Sequence, residues 1–364
     1  MRLSPIHHER ATLLRQEVER LALPQGRRVG RPGHERARQY LLHRLADLRL
    51  EPYANDSFSL PYGGGGFDNL VGVVPGRDRT APPLIIGAHY DSAIDGHSAD
   101  DNAAAVALAL AVAESTSPRC LARDLVIALY DAEEPPHFLS PTMGSIRFYE
   151  DQRRGPVHAA IVMDLIGHAV RFGEQSGGSA DLFGPLVFAT GSESHPALPD
   201  VVRSALQAIA QQQSPLRVVA ALSRYVAEIA MSDYHSFRAD GVPYLFLTCG
   251  IDPARYHQLA DTPDWLDYGK MAAILELLCE LIGRLDNANL STVSATTAGT
   301  AAAGIAAGER SARGDTTADP SLSLEIETLQ AALGPLLGRV GSPPLRSRAD
   351  VNQLAGHLKT VLKI

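Results

Sequence analysis

Five short runs rich in Val, Ile and Leu recur along the chain, each bounded by Gly or Pro: DNLVGVVPG (68–76), PPLIIGAHYD (82–91), DLVIALYDAEE (124–134), HAAIVMDLIG (158–167) and PYLFLTCG (243–250). Continuous apolar runs of this length suit strands covered on both faces, which are found in parallel sheets. Between and around them, apolar positions recur every three or four residues at 8–22, 33–49, 103–115, 195–212 and 267–285, the period of helices packed on a sheet. Strands alternating with helices predict an α/β domain with a mixed, mostly parallel central sheet flanked by helices. At 364 residues and 45% hydrophobic content there is chain enough for such a domain and an appendage.

Composition shifts after Leu285. The stretch NANLSTVSATTAGTAAAGIAAGERSARGDTTADP is Ala, Thr, Ser and Gly without large apolar periodicity, so 287–320 is expected to be a linker. Residues 321–364 then carry two amphipathic patterns with Ser and Asp at N-cap positions, a small helical tail expected to dock on its own main domain or on a second subunit. That leaves 1–286 as the main domain. A formal charge of -8 and a pI near 5.9 exclude the clustered basic surface that nucleic acid requires. The first residues lack the apolar core of a secretory signal and no run spans a bilayer, so a cytoplasmic protein without membrane contact is expected. Three widely spaced cysteines, Cys120, Cys249 and Cys279, offer neither a disulfide framework nor a paired zinc motif.

In open α/β sheets the ligand crevice lies beyond the carboxyl ends of the strands, and polar residues fall there with unusual consistency. The second run ends in His89 and Asp91; the third ends in Glu133 and Glu134; Asp164 sits near the end of the fourth; His257 follows the fifth; and Asp101 precedes an alanine-rich helix. Singly, each has an ordinary explanation. A His two residues before an Asp is common, Asp100, Asp101 and Asn102 could cap a helix, and paired glutamates could form a solvated loop. Asp164 is harder to dismiss, because an ionised carboxylate within an apolar strand is costly unless paired or bound to a cation. Jointly, imidazoles and carboxylates gathered on one rim would repel one another without cations among them. Such ligands suit zinc, and a set that leaves room for water suits catalytic metal.

At this point GAHYDS, SADDNAAAVALALAVAE, LYDAEEPP, MGSIRFYE, IVMDLIGH, SDYHSF and YHQLADTPD resemble, in order, the motifs of the M28 family of co-catalytic zinc aminopeptidases, which includes bacterial leucyl aminopeptidases and the related glutaminyl cyclases. The resemblance runs from about residue 20 to about 285. It implies the zinc-exopeptidase (phosphorylase/hydrolase-like) fold and two zinc ions per chain. His89 and Asp164 would bind one, Glu134 and His257 the other, and Asp101 both. Glu133 would be the general base and Asp91 would hold the other ring nitrogen of His89. Asp131 would be structural. The implied substrate is a peptide or aminoacyl amide, attacked by a metal-bridging water that Glu133 deprotonates.

Three departures stand out. PPHFLSPTMGS is longer and richer in proline than the family's usual turn, so a reshaped substrate pocket is expected at Pro135 to Met143. DNAAA replaces the commoner DNASG, and SDYHSF leaves Asp233, Tyr234 and His235 without an assigned role. Two alternatives compete with an aminopeptidase: a glutaminyl cyclase-like acyltransferase on a single zinc, and a non-catalytic scaffold on the same fold. The complete set of five ligands, together with Glu133, favours the hydrolase over both.

Overall fold

The computed structural model describes residues 5–54, 56–171, 183–221, 232–290, 319–339 and 344–354. Its strands are β1 (Glu51–Pro52), β2 (Ser59–Tyr62), β3 (Phe67–Val74), β4 (Leu84–His89), β5 (Leu125–Tyr130), β6 (Ala159–Met163), β7 (Leu186–Thr190), β8 (Arg217–Val219) and β9 (Tyr244–Thr248). They form one mixed sheet in the order β1-β3-β5-β4-β6-β9-β7-β8, with β2 paired on β3. The centre, β5-β4-β6-β9, is parallel throughout; β3 and β7 join it antiparallel. The described helices are α1 (Pro5–Leu21), α2 (Pro32–Asp47), α3 (Ala104–Ser115), α4 (Gly144–Arg147), α5 (Leu198–Gln211), α6 (His235–Ala239), α7 (Tyr268–Asn287) and α8 (Pro320–Arg339).

Alternation along the central strands builds two cores. In β5, Leu125, Ile127 and Leu129 face one way, into a large aliphatic cluster with α1, α3, α5 and α7. Val126, Ala128 and Tyr130 face the other, into a smaller, aromatic cluster with Phe148, Tyr149, Tyr234 and Phe237. Helix α3, AAVALALAVAES, is apolar nearly all round and correspondingly buried along most of its length. Its small side chains let it sit between the sheet and α1 and α7, directly behind the strand ends.

The five apolar runs all become strands, and the mixed, mostly parallel sheet flanked by helices is as expected. Four strands went unread in the sequence: the short β1 and β2, β7, whose LVFAT stands among glycines and prolines, and β8, only three residues long. The linker expected at 287–320 lies mostly outside the described residues, as does the end of the second tail helix beyond 354. Helix α8 packs on edge strand β8: the Thr328 hydroxyl accepts from the Ala220 amide at 3.0 Å, and Arg217 donates to the Ala332 carbonyl at 3.2 Å. Paired in this way, the tail covers a sheet edge that would otherwise offer free backbone groups.

Candidate metal centre

The ends of four adjacent parallel strands supply the site. His89 closes β4, Glu133 and Glu134 follow β5, Asp164 is the first residue after β6, and His257 lies on the loop beyond β9. Asp101 ends the loop that leads from β4 to α3. Its Oδ1 stands 3.4 Å from His89 Nε2 and its Oδ2 3.2 Å from His257 Nε2, so one carboxylate faces both imidazoles. Asp164 Oδ1 is 3.6 Å from His89 Nε2, Glu134 Oε2 is 3.1 Å from His257 Nε2, and Glu133 Oε2 is 3.8 Å from His89 Nε2. Ligand atoms converge within 4.8 Å in overlapping groups, among them His89, Asp101 and Asp164, and Asp101, Glu134 and His257.

These atoms are close without being satisfied. His89 Nε2, Asp101 Oδ2, Glu134 Oε1, Asp164 Oδ1 and His257 Nε2 are all buried and none has a hydrogen-bond partner. Buried polar atoms are almost always paired, so five orphans aimed into one space fit a cation that is part of the working molecule. Imidazole nitrogen and carboxylate oxygen are the donors zinc takes.

The electrostatics agree. Burial alone would lower His89, but Glu133, Asp101, Asp164 and Asp91 together raise its pKa well above the ordinary value. His257, likewise depressed by burial, is pushed up to about 10 by Asp101 and Glu134. Burial, with Asp101 adding, lifts Glu134 to about 8, and burial, with Asp233 adding and His89 opposing, sends Glu133 well above the carboxylate range. Metal-free, the cluster thus neutralises itself with protons; a divalent cation would do so by displacing them.

A second ring of groups fixes the donors. Asp91 Oδ1 lies 3.3 Å from His89 Nδ1, and the same carboxylate accepts from the Glu133 and Glu134 amides at 3.0 and 3.1 Å, tying the β4 and β5 loops together. Asp261 does the same across the molecule, accepting from the Asp100 and Asp101 amides at 2.8 and 3.2 Å and from the Trp265 indole at 3.0 Å. Asp100 is no helix cap: it binds the Gly167 amide and His168 Nδ1, both at 2.7 Å. Asp131 bonds His34 Nε2 at 2.7 Å and accepts from the Asp68 amide at 2.8 Å.

Asp261 and His168 were not singled out in the sequence, and Asp100 only as a helix-cap candidate. Asp261 and Asp100 accept from the backbone of distant loops and His168 bonds the Asp100 carboxylate, pairings that no spacing reveals. Tyr256, the first residue of YHQLADTPD and an aromatic pocket candidate in the sequence, stacks on the His257 ring at 3.9 Å. Of the unassigned SDYHSF residues, Asp233 is fully buried and pushed by burial up to about 7, with His89 opposing, whereas Tyr234 packs on Tyr244 and Phe246 in the aromatic core.

Each ligand-bearing loop also holds a non-glycine residue at positive φ: Ser98 (45°), Ala132 (52°), Leu165 (50°) and His257 itself (55°). Each such conformation costs about 1 kcal/mol or more, so the surrounding contacts must over-determine it.

The sequence profile of peptidase family M28 matches residues 69–282, more than half of the chain and all of the ligand-bearing strand ends. The chain belongs to peptidase family M28. It is 29% identical over 271 residues to the uncharacterised protein YfbL of Escherichia coli, a match covering 66% of this chain and 80% of YfbL. Among solved structures, the LapA aminopeptidase of Legionella pneumophila has a TM-score of 0.61 at 17% identity, covering 78% of this chain and 73% of LapA. Tannerella forsythia glutaminyl cyclase has a TM-score of 0.55 at 18% identity, covering 75% of this chain and 97% of the cyclase. At such identities the two structures speak for the fold. M28 membership, with the donor set described, supports a metallopeptidase-type hydrolase that uses zinc. Among the described residues, no helix is long and apolar enough to cross a membrane.

Proposed function

We propose that this M28 protein is a di-zinc exopeptidase that releases N-terminal amino acids from peptides. The observation that carries the proposal is the pair of overlapping donor groups that share Asp101, with five buried donor atoms left without partners. His89 and Asp164 would hold one ion, Glu134 and His257 the other, and Asp101 both. Bound there, the ions would lower the pKa of water toward neutrality and polarise the scissile carbonyl.

Everything else falls to the protein. Glu133 is the one carboxylate of the cluster left outside the two groups that share Asp101, and it serves as the base that takes a proton from the attacking water and returns it to the departing amine. Asp91 keeps His89 oriented and pins the amides of Glu133 and Glu134, so base and ligand cannot drift apart. Tyr256, its pKa raised by burial and by the carboxylates of the centre, stays protonated at the rim and offers a hydroxyl donor to substrate oxygen. Surplus negative charge around the site favours a free substrate ammonium.

The test measures zinc per chain and turnover of aminoacyl amides and short peptides, for wild type and Glu133→Gln. Two zinc ions in both proteins, with activity lower in Glu133→Gln by about 10²–10⁴-fold, are expected. Equal activities would refute the role of Glu133. One zinc per chain with cyclisation of N-terminal glutamine would replace the peptidase by an acyltransferase of the glutaminyl cyclase kind.

A further inference from the structure

Arg27 is a fully buried arginine, 1% exposed, in the segment between α1 and α2, outside the stretch matched by the family profile. Among the described residues no carboxylate pairs with it. Its guanidinium is spent on backbone carbonyls: Nε donates to Tyr90 at 2.8 Å, Nη1 to His97 at 2.9 Å and Leu21 at 3.3 Å, and Nη2 to Ser98 at 2.9 Å, with Asp101 at 3.5 Å. Its own amide donates to Ser92 Oγ at 2.8 Å. Except for Leu21, these partners all lie on the loop that joins His89 to Asp101. The fork therefore holds that loop just beyond His89 and again just before Asp101, the carboxylate facing both imidazoles. Gly26 brings the segment close enough to do so: at φ +67°, a Cβ there would lie 2.5 Å from the Ile94 carbonyl oxygen. Burying a guanidinium is costly. The cost is opposed through space by Asp261, Asp101, Asp91 and Glu134, all in or around the metal centre.

We propose that Arg27 is a positioning residue for metal binding, setting the separation of His89 and Asp101 by clamping both ends of the loop between them. The role rests on the metal-centre assignment above. It predicts a loss that a point charge cannot repair, because an ammonium cannot reach carbonyls at both loop ends as a planar fork does.

Zinc affinity is measured by competition with a chromophoric chelator for wild type, Arg27→Lys, Gly26→Ala and a control, Leu41→Ala, which opens a cavity in the buried face of α2. Visible absorption of the cobalt-substituted proteins reports ligand geometry, and circular dichroism in excess chelator reports folding. Arg27→Lys is expected to fold, to bind both equivalents at least tenfold more weakly than wild type and to show an altered cobalt spectrum, while Leu41→Ala keeps wild-type affinity. Should Arg27→Lys not fold, Gly26→Ala, which pushes the same segment off the loop with Arg27 intact, carries the same expectation. Wild-type affinity and spectrum in the folded variant would overturn the role of Arg27 alone. A wild type that takes up no zinc would overturn the metal centre itself.

Discussion

Within the centre, protons and cations compete for the same lone pairs. His257 is held up to about 10 by Asp101 and Glu134 against the effect of burial, and Glu134 is lifted to about 8 chiefly by burial. At neutral pH the metal-free site therefore carries protons on groups that must give them up to coordinate. The sign follows: with pKa values raised in the free site, loading releases protons, and apparent zinc affinity climbs with pH through about 8 and on toward 10. Chelator competition at several pH values between about 6 and 9, corrected for the chelator's own protonation, checks this. An affinity that stays level would mean that these groups are not ligands. The donors were legible because a charged residue at the end of an apolar strand is conspicuous. Arg27 and Asp261 were not, since an arginine before a helix or an aspartate on a loop looks the same whether it meets water or a distant backbone.

For the elements, legibility followed length and periodicity. The central strands announced themselves as unbroken apolar runs, but β8, at three residues, is a strand mainly because β7 gives its backbone partners while the tail helix holds Ala220 just beyond it. The amphipathic tail could be read as a helix, but not where it rests, because docking depends on a complementary surface formed by residues far away in sequence. Thr328 shows how tightly α8 is fitted: its hydroxyl accepts from the Ala220 amide and donates back to the Leu324 carbonyl of its own helix, at 2.9 Å. Thr328→Val keeps the shape and removes the acceptor, leaving a buried amide without a partner. The expected cost is about 1–3 kcal/mol, seen as a lower denaturant midpoint with an unchanged slope and unchanged zinc content. A silent substitution would mean that α8 does not seal this edge in solution.

Across the whole molecule, the centre makes a structural demand as well as a chemical one. Several carboxylates buried at one end of the sheet are harder to ionise in the fold than in the open chain. Burial raises Glu134 to about 8, and Asp233 and Asp261 each to about 7. The imidazoles of His89 and His257 are raised too, by the carboxylates around them. A group whose folded pKa exceeds its unfolded value stabilises the fold below the unfolded pKa and loses that contribution as pH rises through the folded one. Asp101 shifts the opposite way, lowered by its two histidines against burial, but its contribution fades only in acid, below the range in question. Between about pH 5 and 9 all the raised groups therefore act in one direction, and the metal-free protein should melt progressively earlier as the solution becomes more alkaline. The expected readout is a Tm that falls steadily as pH rises. Zinc removes the cause, because a ligand bound to metal no longer takes up the proton whose loss was destabilising. Scans across this range in excess chelator and in excess zinc should then diverge with pH, the zinc-loaded curve falling less steeply. Parallel curves would mean that cations do not neutralise these buried charges, and the centre would need another explanation.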